Sequence, residues 1–303
     1  MSDLWFLPVV SLESESDAFQ GRHRSLWQHA LRRLTRHRPA MLSGAFLILL
    51  ILLAVLAPLV APYDPLEMHP ADAFQGPSRQ YLLGTDEYGR DLFSRIIFGS
   101  RASLAVGIIS VSISLVAGTA LGLLSGYYLG IPDVIISRAM DILFAFPPLL
   151  LALVVAVILG PGMDKASIAI GIVFTPLFAK VCRGAVLTER GKVYVEAARM
   201  LGASDFRIIR KHILQNVLAP TIVQATLCMS YAILTEAALS YLGLGTQPPM
   251  ASWGVMLSKG RGLMNHSPWV SIWPGLAITA AVFAFNAFGD GLRDALDPRL
   301  IGR

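Results

Sequence analysis

The sequence has little charge and almost no cysteine. Only 15% of its 303 residues are charged, whereas 54% are hydrophobic. Soluble domains carry about a quarter charged residues, so this composition argues against an ordinary soluble enzyme and indicates a membrane protein. The two cysteines, Cys182 and Cys228, lie far apart in apolar contexts, which predicts buried free thiols and no disulfide framework.

Motifs for nucleotide and metal binding are also missing. No G-x-x-x-x-G-K-[ST] sequence occurs, so the chain lacks the loop that usually cradles nucleotide phosphates. His212 and His266 are single and have no ligand partners at metal-binding spacing. We therefore expect no catalytic residue, no metal and no cofactor in this chain, which argues against an intramembrane enzyme.

What the sequence does contain is a series of long apolar runs. A helix needs roughly 20 apolar residues to cross the hydrocarbon core. We predict an all-α integral membrane protein with six transmembrane helices, at Met41–Tyr63, Ala102–Pro132, Ile142–Met163, Ala166–Leu187, Ile213–Thr235 and Trp269–Gly289. The FPP sequence at Phe146 and Pro176 predict kinked or broken helices, and the glycines from Gly118 to Gly126 predict close helix packing.

Most of the 25 Lys and Arg residues fall on one side of this topology. The positive-inside rule then predicts that both termini are cytoplasmic. The start of the chain lacks the basic region of a secretory signal, so we expect the first helix to remain as an anchor. The basic N-terminal run is expected to face anionic lipid and not nucleic acid. The predicted division is a cytoplasmic basic segment, a first transmembrane helix, an extracytoplasmic segment, a transmembrane core and a cytoplasmic tail, at residues 1–40, 41–63, 64–101, 102–292 and 293–303.

The largest inner loop, residues 188–213, has a helical pattern broken by one glycine. Gly202 suits the left-handed position that ends a helix, Ser204 suits the cap of a second helix, and Asp205 suits its positive end. A solvated loop with ordinary basic residues would explain the charge. Apolar faces on both helices favour a docking surface instead. These faces consist of Val193, Ala197 and Leu201, and of Phe206, Ile209 and Ile213.

The segment EAARMLGASDFRIIRKHIL in this loop resembles the EAA loop of the membrane subunits of bacterial ATP-binding-cassette importers. Its close departs from the family pattern, because His212 and Gln215 stand where isoleucine and proline are usual. The matching positions are Glu196, Ala197, Ala198 and Gly202. Other segments resemble landmarks of the dipeptide, oligopeptide and nickel branch, in order across about residues 40–300: LGTDEYGRDLFSRIIFGSRASL, DILFAFPPLLLALV, AALSYLGLGTQPP, WGVML and FNAFGDGLRDALDP.

This resemblance implies a C-type permease subunit with the type I (MetI-like) importer fold, in the bacterial inner membrane. It implies a heterodimer with a homologous B-type permease, two cytoplasmic ATPases that carry ATP and Mg, and an extracytoplasmic substrate-binding protein. The residues implied in coupling to the ATPases are Glu196, Ala197, Ala198, Gly202, Ala203, Ser204, Asp205 and Arg207.

The resemblance leaves the solute open among dipeptides, oligopeptides, nickel or other chelates, and glutathione. A stand-alone secondary transporter or channel is the alternative function. That class would need ion-coupling charges in mid-span, and the apolar runs are almost free of them.

Charged residues crowd together just ahead of the second predicted helix. We expect Thr85 or Asp86 to cap this helix, and the spacing predicts local ion pairs among Arg90, Asp91, Arg95 and Arg101. A structural extracytoplasmic collar is favoured. The alternative is contact of a binding protein with Asp86, Arg90 and Asp91.

Glu236 is the main charge within the run from Ile213 to Ser258. An ionisable residue inside a span is a functional candidate. Its distance from the start of the fifth helix places it near the outer end. We expect Glu236 to cap a helix or pair with an outer-loop arginine, or else to line an outer gate.

Overall fold

The computed structural model describes residues 33–35 and 37–296. The basic N-terminal run through Arg32, Arg36 and the tail from Asp297 lie outside the described residues. The described part of the chain is helical and contains no β-strand beyond an isolated bridge between Thr85 and Asp91. Its α-helices are α1 (Arg38–Val55), α2 (Ala57–Val60), α3 (Leu92–Tyr128), α4 (Gly130–Phe144), α5 (Pro148–Leu159), α6 (Met163–Arg190), α7 (Val193–Met200), α8 (Asp205–Ile208), α9 (Leu214–Tyr241), α10 (Trp253–Arg261) and α11 (Trp269–Leu296).

Five helical stretches in the described residues are long and apolar enough to cross a membrane. They are α1, α3, α6, the continuous run Asp205–Tyr241 that contains α8 and α9, and α11. The number rises to six if the bent pair of α4 and α5 is counted as one span. Because a backbone in hydrocarbon must satisfy its own hydrogen bonds, long helices are what such apolar runs form. The prediction of an all-α membrane protein is confirmed.

The third predicted span is bent sharply. Helices α4 and α5 meet at 94°. Pro147 precedes α5 and Pro148 occupies its first turn, where the missing N–H of proline costs no hydrogen bond. The FPP sequence therefore breaks the helix as predicted. The first helix of the bent pair, α4, begins at Gly130 instead of the predicted Ile142. By contrast, α6 continues through Pro176 as one helix.

The long helices run between two ends of the bundle. The loop end contains residues 191–213, and the collar end contains residues 64–91, which we call the collar. The start of α1 and the end of α11 both lie at the loop end. The imidazole of His37 lies 4.0 Å from the carboxylate of Asp294, and Arg293 lines a cavity there together with Glu189. The bent pair joins the two ends. It starts after Tyr128, where α3 reaches the loop end. It is followed by Gly162, whose N–H donates at 3.3 Å to the carbonyl of Leu244, which follows the other end of α9.

Helices α3 and α6 form the most extensive helix pair of the bundle. Three glycines four residues apart, Gly118, Gly122 and Gly126, lie along the line of contact, as the sequence predicted. A β-carbon on Gly122 would lie 2.6 Å from the carbonyl oxygen of Ala179. One on Gly126 would lie 2.8 Å from Cβ of Val186. These separations are too short for any side chain, so glycine sets the distance between the two helices.

We predict that Gly122→Val destabilises the protein by about 1–3 kcal/mol, because the backbone of α6 must move away to admit the side chain. Thermal unfolding of the purified transporter, followed by tryptophan fluorescence, measures the effect. Gly184→Ala is the matched control: it lies in the same helix pair, and nothing lies within 4 Å of its added β-carbon. An equal loss of stability in both variants would contradict the glycine argument.

Candidate functional site

The loop between α6 and α9 folds as two short helices around a glycine corner, as the sequence predicted. Helix α7 ends at Met200, and Gly202 adopts a positive φ of 77°. The N–H of Ala203 donates to the carbonyl of Ala198 at 3.0 Å, and the N–H of Gly202 donates to that of Arg199 at 3.0 Å. This pair of bonds is the Schellman motif, which requires the left-handed conformation that glycine adopts freely.

The second short helix begins differently from the prediction. Ser204 occupies the N-cap position of α8, but its side chain makes no capping hydrogen bond. The carboxylate of Asp205 also has another partner, because it accepts a hydrogen bond from the Tyr127 hydroxyl at 2.6 Å. A tyrosine from α3, far away in sequence, therefore holds the start of α8.

A separate apolar cluster fixes the loop to the bundle. All its members are almost fully buried, and they come from the ends of α3, α6 and α9 as well as from the loop: Tyr127, Cys182, Val186, Val195, Ile208, Ile213 and Val217. Burial from water contributes roughly 1.5–3 kcal/mol for each apolar side chain that the loop itself supplies, such as Val195 and Ile208. The inner side of the loop is thus a packed core. Both cysteines of the chain are free and buried, as expected.

The outer side of the loop carries large apolar side chains in solvent. Met200 is 90% exposed, Leu201 is 87% exposed and Phe206 is 71% exposed. Val193 is also exposed, whereas Ile213 of the second predicted face is buried in the apolar cluster. The structure brings the remaining coupling candidates to the same loop: Glu196, Ala197, Gly202, Ser204, Asp205 and Arg207 are exposed, and Ala198 and Ala203 are half-buried.

A polar network that the sequence did not reveal braces the base of the loop. The Tyr194 hydroxyl donates to Glu189, the last acidic residue of α6, and accepts from the Asn216 amide at 2.9 Å. Asn216 also donates to the His212 carbonyl at 2.9 Å. Desolvation and the Glu189 carboxylate raise the pKa of Tyr194 to about 12, so its hydroxyl keeps its proton at physiological pH. The network joins α6, α7 and the start of α9.

The exit of the loop is a π-helical turn, Ile209–Ile213, that leads without a break into α9. Gln215, which replaces the proline usual in the EAA pattern, lies exposed in the first turn of α9. The departure at Gln215 therefore leaves the helical path of the loop into α9 intact.

The charged side chains Asp86, Arg90 and Asp91 of the collar are buried, and Asp86 pairs with two arginines. The Asp86 carboxylate accepts from Nε of Arg90 at 2.7 Å and lies 3.6 Å from Nε of Arg95. Asp91, and not Thr85 or Asp86, caps α3: its carboxylate accepts from the N–H of Ser94 at 2.8 Å and from its hydroxyl at 2.7 Å. This cap explains why α3 begins ten residues before the predicted Ala102.

Burial bears on the alternative role of these residues. Asp86, Arg90 and Asp91 have almost no accessible surface, which argues against the alternative contact with a binding protein. Arg101 lies outside the ion-pair cluster, with its guanidinium 5.9 Å from the Phe98 ring centroid. The favoured structural collar is what the geometry supports.

Tyr81 completes the collar from within. Its ring is buried, and its hydroxyl donates to Asp72 at 2.8 Å. Burial and the Asp72 carboxylate raise the pKa of Tyr81 to about 12.

Glu236 has partners that the sequence did not predict. Its side chain is 0% exposed. It accepts hydrogen bonds from the hydroxyls of Ser240 at 2.7 Å and Ser103 at 3.0 Å, and Thr246 lies at 3.4 Å. Among the described residues it forms no ion pair, in contrast to the expected pairing with an outer-loop arginine. Glu236 thus fastens α3, α9 and the following segment together, and it does not face an open gate.

An apolar helix bundle with an exposed apolar loop at one end and a packed collar at the other indicates a membrane protein, and comparison with known proteins gives its class. Residues 118–302 match the family described as "Binding-protein-dependent transport system inner membrane component". Residues 25–77 match the "N-terminal TM domain of oligopeptide transport permease C". The chain belongs to this family of binding-protein-dependent transport permeases, as the EAA resemblance predicted.

Similar proteins over nearly the whole chain are also transport permeases. The dipeptide transport system permease protein DppC of Alkalihalophilus pseudofirmus is 43% identical over 295 residues, which cover 97% of both chains. The glutathione transport system permease protein GsiD of Pectobacterium atrosepticum is 46% identical and covers 91% of this chain and 92% of its own. The di/tripeptide permease DppC of Pseudomonas aeruginosa is 48% identical, with 87% and 89% covered.

The fold is that of a type I importer. Two inward-facing crystal forms of the MetNI methionine ABC transporter match with TM-scores of 0.56 and 0.54 at 20% identity. They cover 68% and 66% of this chain, and 98% and 94% of the matched chains. The protein is therefore a multi-pass permease subunit of an ABC importer in the bacterial inner membrane, where it works with a partner permease and separate ATPases. This membership sets aside the stand-alone transporter.

We predict that Asp86→Ala destabilises the collar by about 3–5 kcal/mol, because it leaves the buried guanidinium groups of Arg90 and Arg95 without their shared carboxylate. Denaturant unfolding of the purified transporter measures the loss. Glu67→Ala in the same segment is the control, since its side chain is 53% exposed and should change stability by less than about 1 kcal/mol. Equal stability of the Asp86→Ala variant and the parent would refute the buried-cluster interpretation.

Proposed function

We propose that this chain forms half of the translocation pathway for a peptide-like solute and couples to ATPase subunits through the loop of residues 188–213. The observation that carries the coupling is the exposed apolar tip of the loop, formed by Met200, Leu201 and Phe206. Three large apolar side chains held in water on a braced scaffold form a surface suited to a protein partner. The charges of Glu196 and Arg207 on the same loop would orient that partner.

The loop is suited to transmitting motion from its tip because the two sides of the loop differ. The inner side is packed against α3, α6 and α9, whereas the outer side is exposed and has no partner among the residues that the structure describes. A force applied to the tip therefore acts on the bundle through a packed core and not through a mobile segment. Glu196 and Gly202 serve this role as a docking charge and as the corner between α7 and α8.

The charge distribution supports a cytoplasmic position for the loop end. The described Lys and Arg residues of this end outnumber those of the collar end, and the positive-inside rule places the richer end in the cytoplasm. Counting the bent pair as one crossing, because it joins the two ends, gives six spans with both termini cytoplasmic. The collar then faces the outside, where a substrate-binding protein delivers the solute. Exposed Tyr88 and Met68 at the collar suit that contact better than the buried ion pairs.

The bent pair supports a heterodimeric pathway. The side chains of α4 and α5 that point away from the bundle are large and apolar, and they are exposed in the single chain: Ile131, Val134, Ile135, Ile142, Phe146, Leu150, Val154 and Ile158. We assign this face to the homologous B-type permease. Beside it, the Lys180 ammonium lies 2.8 Å from the Asp141 carboxylate, and both are half-exposed on a cavity of about 400 Å³. Charges within spans face a water-filled path, so this cavity marks the proposed pathway.

The proposed solute class comes from similar proteins. The relatives named above are described as permeases for dipeptides, for di- and tripeptides, and for glutathione, which is itself a small peptide. A free peptide carries an ammonium and a carboxylate, and the paired charges of Lys180 and Asp141 suit such a solute. ATP and Mg belong to the partner ATPases on this proposal.

We predict that the double variant Leu201→Asp and Phe206→Asp abolishes co-purification of the ATPases with the tagged chain, because charge replaces the apolar tip. Gln215→Asp is the control, since it adds a negative charge at an exposed position of the loop exit and should retain the ATPases. Retention of the ATPases by the double variant would reject the docking surface.

Uptake by proteoliposomes that contain the complete transporter tests the solute class. Radiolabelled dialanine and glutathione are the probes, each measured with ATP and with a non-hydrolysable analogue. We expect ATP-dependent uptake of at least one peptide. ATP-dependent uptake of nickel chelates alone would reject a peptide-like solute while leaving the coupling proposal intact.

A further inference from the structure

Helix α3 touches the loop although no chain connection links them. The loop is joined covalently only to α6 and α9. Tyr127, in the last turn of α3, nevertheless donates a hydrogen bond to Asp205 at 2.6 Å and is only 3% exposed. We propose that Tyr127 is a positioning residue that fastens the loop to α3, so that ATPase-driven motion of the loop is transmitted along α3 to the collar. This inference rests on the proposed coupling function.

Tyr127 of α3 contacts three other helices at the loop end. Its ring lies 6.0 Å from the guanidinium of Arg190, the last residue of α6, and 6.0 Å from that of Arg199 in α7. Cations at this distance from an aromatic face are attracted to it. Its hydroxyl binds Asp205 at the start of α8, and its ring packs in the buried cluster with Val195. One side chain thus joins α3 to α6, α7 and α8.

The loop has two covalent connections to the bundle, and neither is regular α-helix throughout. On one side, α6 ends at Arg190, and the chain turns through Gly191 before α7 begins. On the other side, the π-helical turn Ile209–Ile213 precedes α9. Single π-helical turns of this kind are rare and frequently occur at functional sites. The hydrogen bond from the buried Tyr127 to Asp205 therefore gives the loop a third attachment to the bundle, in addition to its two chain connections.

Helix α3 is suited to carry the motion to the other end. Its 37 residues span about 55 Å at the rise of an α-helix. The glycine contacts at Gly118, Gly122 and Gly126 hold α3 against α6 along the way. At the far end the carboxylate of Asp91 caps the helix, and Arg95 donates to the Pro65 carbonyl at 2.8 Å. The same helix is therefore fixed to the loop at one end and to the collar at the other.

Ser103 adds a second fastening near the collar. Its hydroxyl donates to the buried Glu236 carboxylate, which also binds Ser240. A displacement of α3 must therefore move the collar and the start of the segment after α9 together. This is the arrangement needed for ATPase subunits at one end to change a solute-accepting surface at the other.

Hydrogen–deuterium exchange of the full chain in lipid nanodiscs tests the fastening itself. Tyr127→Phe removes only the hydroxyl, and we expect the amides of residues 203–213 to exchange about five- to tenfold faster. Tyr128→Phe is the matched control, because this neighbouring tyrosine is 49% exposed, and it should leave exchange unchanged. Asp205→Asn keeps an oxygen acceptor and should exchange like the parent. Unchanged exchange in Tyr127→Phe would overturn the proposal.

Transmission along α3 is tested in the assembled transporter, trapped with ATP and vanadate. In the parent we expect trapping to alter exchange both in the loop and in residues 92–104 at the collar end of α3. In Tyr127→Phe, the ATPases should remain bound and the loop should still respond. The response of residues 92–104 should fall by at least half, and Tyr128→Phe should respond like the parent.

The outcomes separate this inference from the function on which it rests. A full response of residues 92–104 in Tyr127→Phe, with the ATPases bound, would overturn transmission through Tyr127 while leaving loop docking intact. A parent loop that shows no response to trapping, or that binds no ATPase, would reject the coupling function itself.

Discussion

The close contact of α3 with α6 is the constraint on which the rest of the structure depends. In hydrocarbon, apolar side chains gain nothing by leaving lipid for one another, so helices are held together by tight packing. Glycine at 118, 122 and 126 allows the two backbones to approach until a β-carbon would overlap the facing helix. This pair forms a rigid spine with the loop at one end and the collar at the other. The remaining helices pack around it.

Several charged groups in this bundle are satisfied by hydrogen bonds from neighbouring side chains. Asp133 accepts two hydrogen bonds from Arg183, at 2.7 Å each, and further ones from Ser125 and Ser137. Glu236 is satisfied by hydroxyls, and the Asp86 cluster by two arginines. Leaving any of these buried groups without its hydrogen-bond partners would cost about 1–3 kcal/mol or more, so each favours the arrangement of helices that supplies those partners. The half-exposed pair of Lys180 and Asp141 differs, which is why we place the solute path beside it.

The sequence predicted those features that depend on local chemistry. Apolar runs predict helices, the FPP sequence predicts the break after Phe144, and Gly202 predicts the corner of the loop, because each follows from a property of the residues themselves. It did not predict the partners of Asp205, Tyr194 or Glu236. Those contacts join residues that are far apart in the chain or lie on opposite sides of a turn, and no spacing rule connects Tyr127 with Asp205. The cap at Asp91 was misassigned because Thr85, Asp86 and Asp91 are all good capping residues, and tertiary packing selects among them.

The two-sided construction of the loop explains why it contains no catalytic group. A surface that only binds could be flexible, and a scaffold that only supports could be wholly buried. The loop needs both properties, and it divides them between residues a few positions apart: Val195 and Ile208 are buried, whereas Met200 and Phe206 face solvent. Since packed cores shift between discrete arrangements and do not deform continuously, a displacement of the tip must move the helices that the core joins. On the proposed function, coupling is thus a property of packing, and the identity of the exposed side chains decides only which partner applies the force.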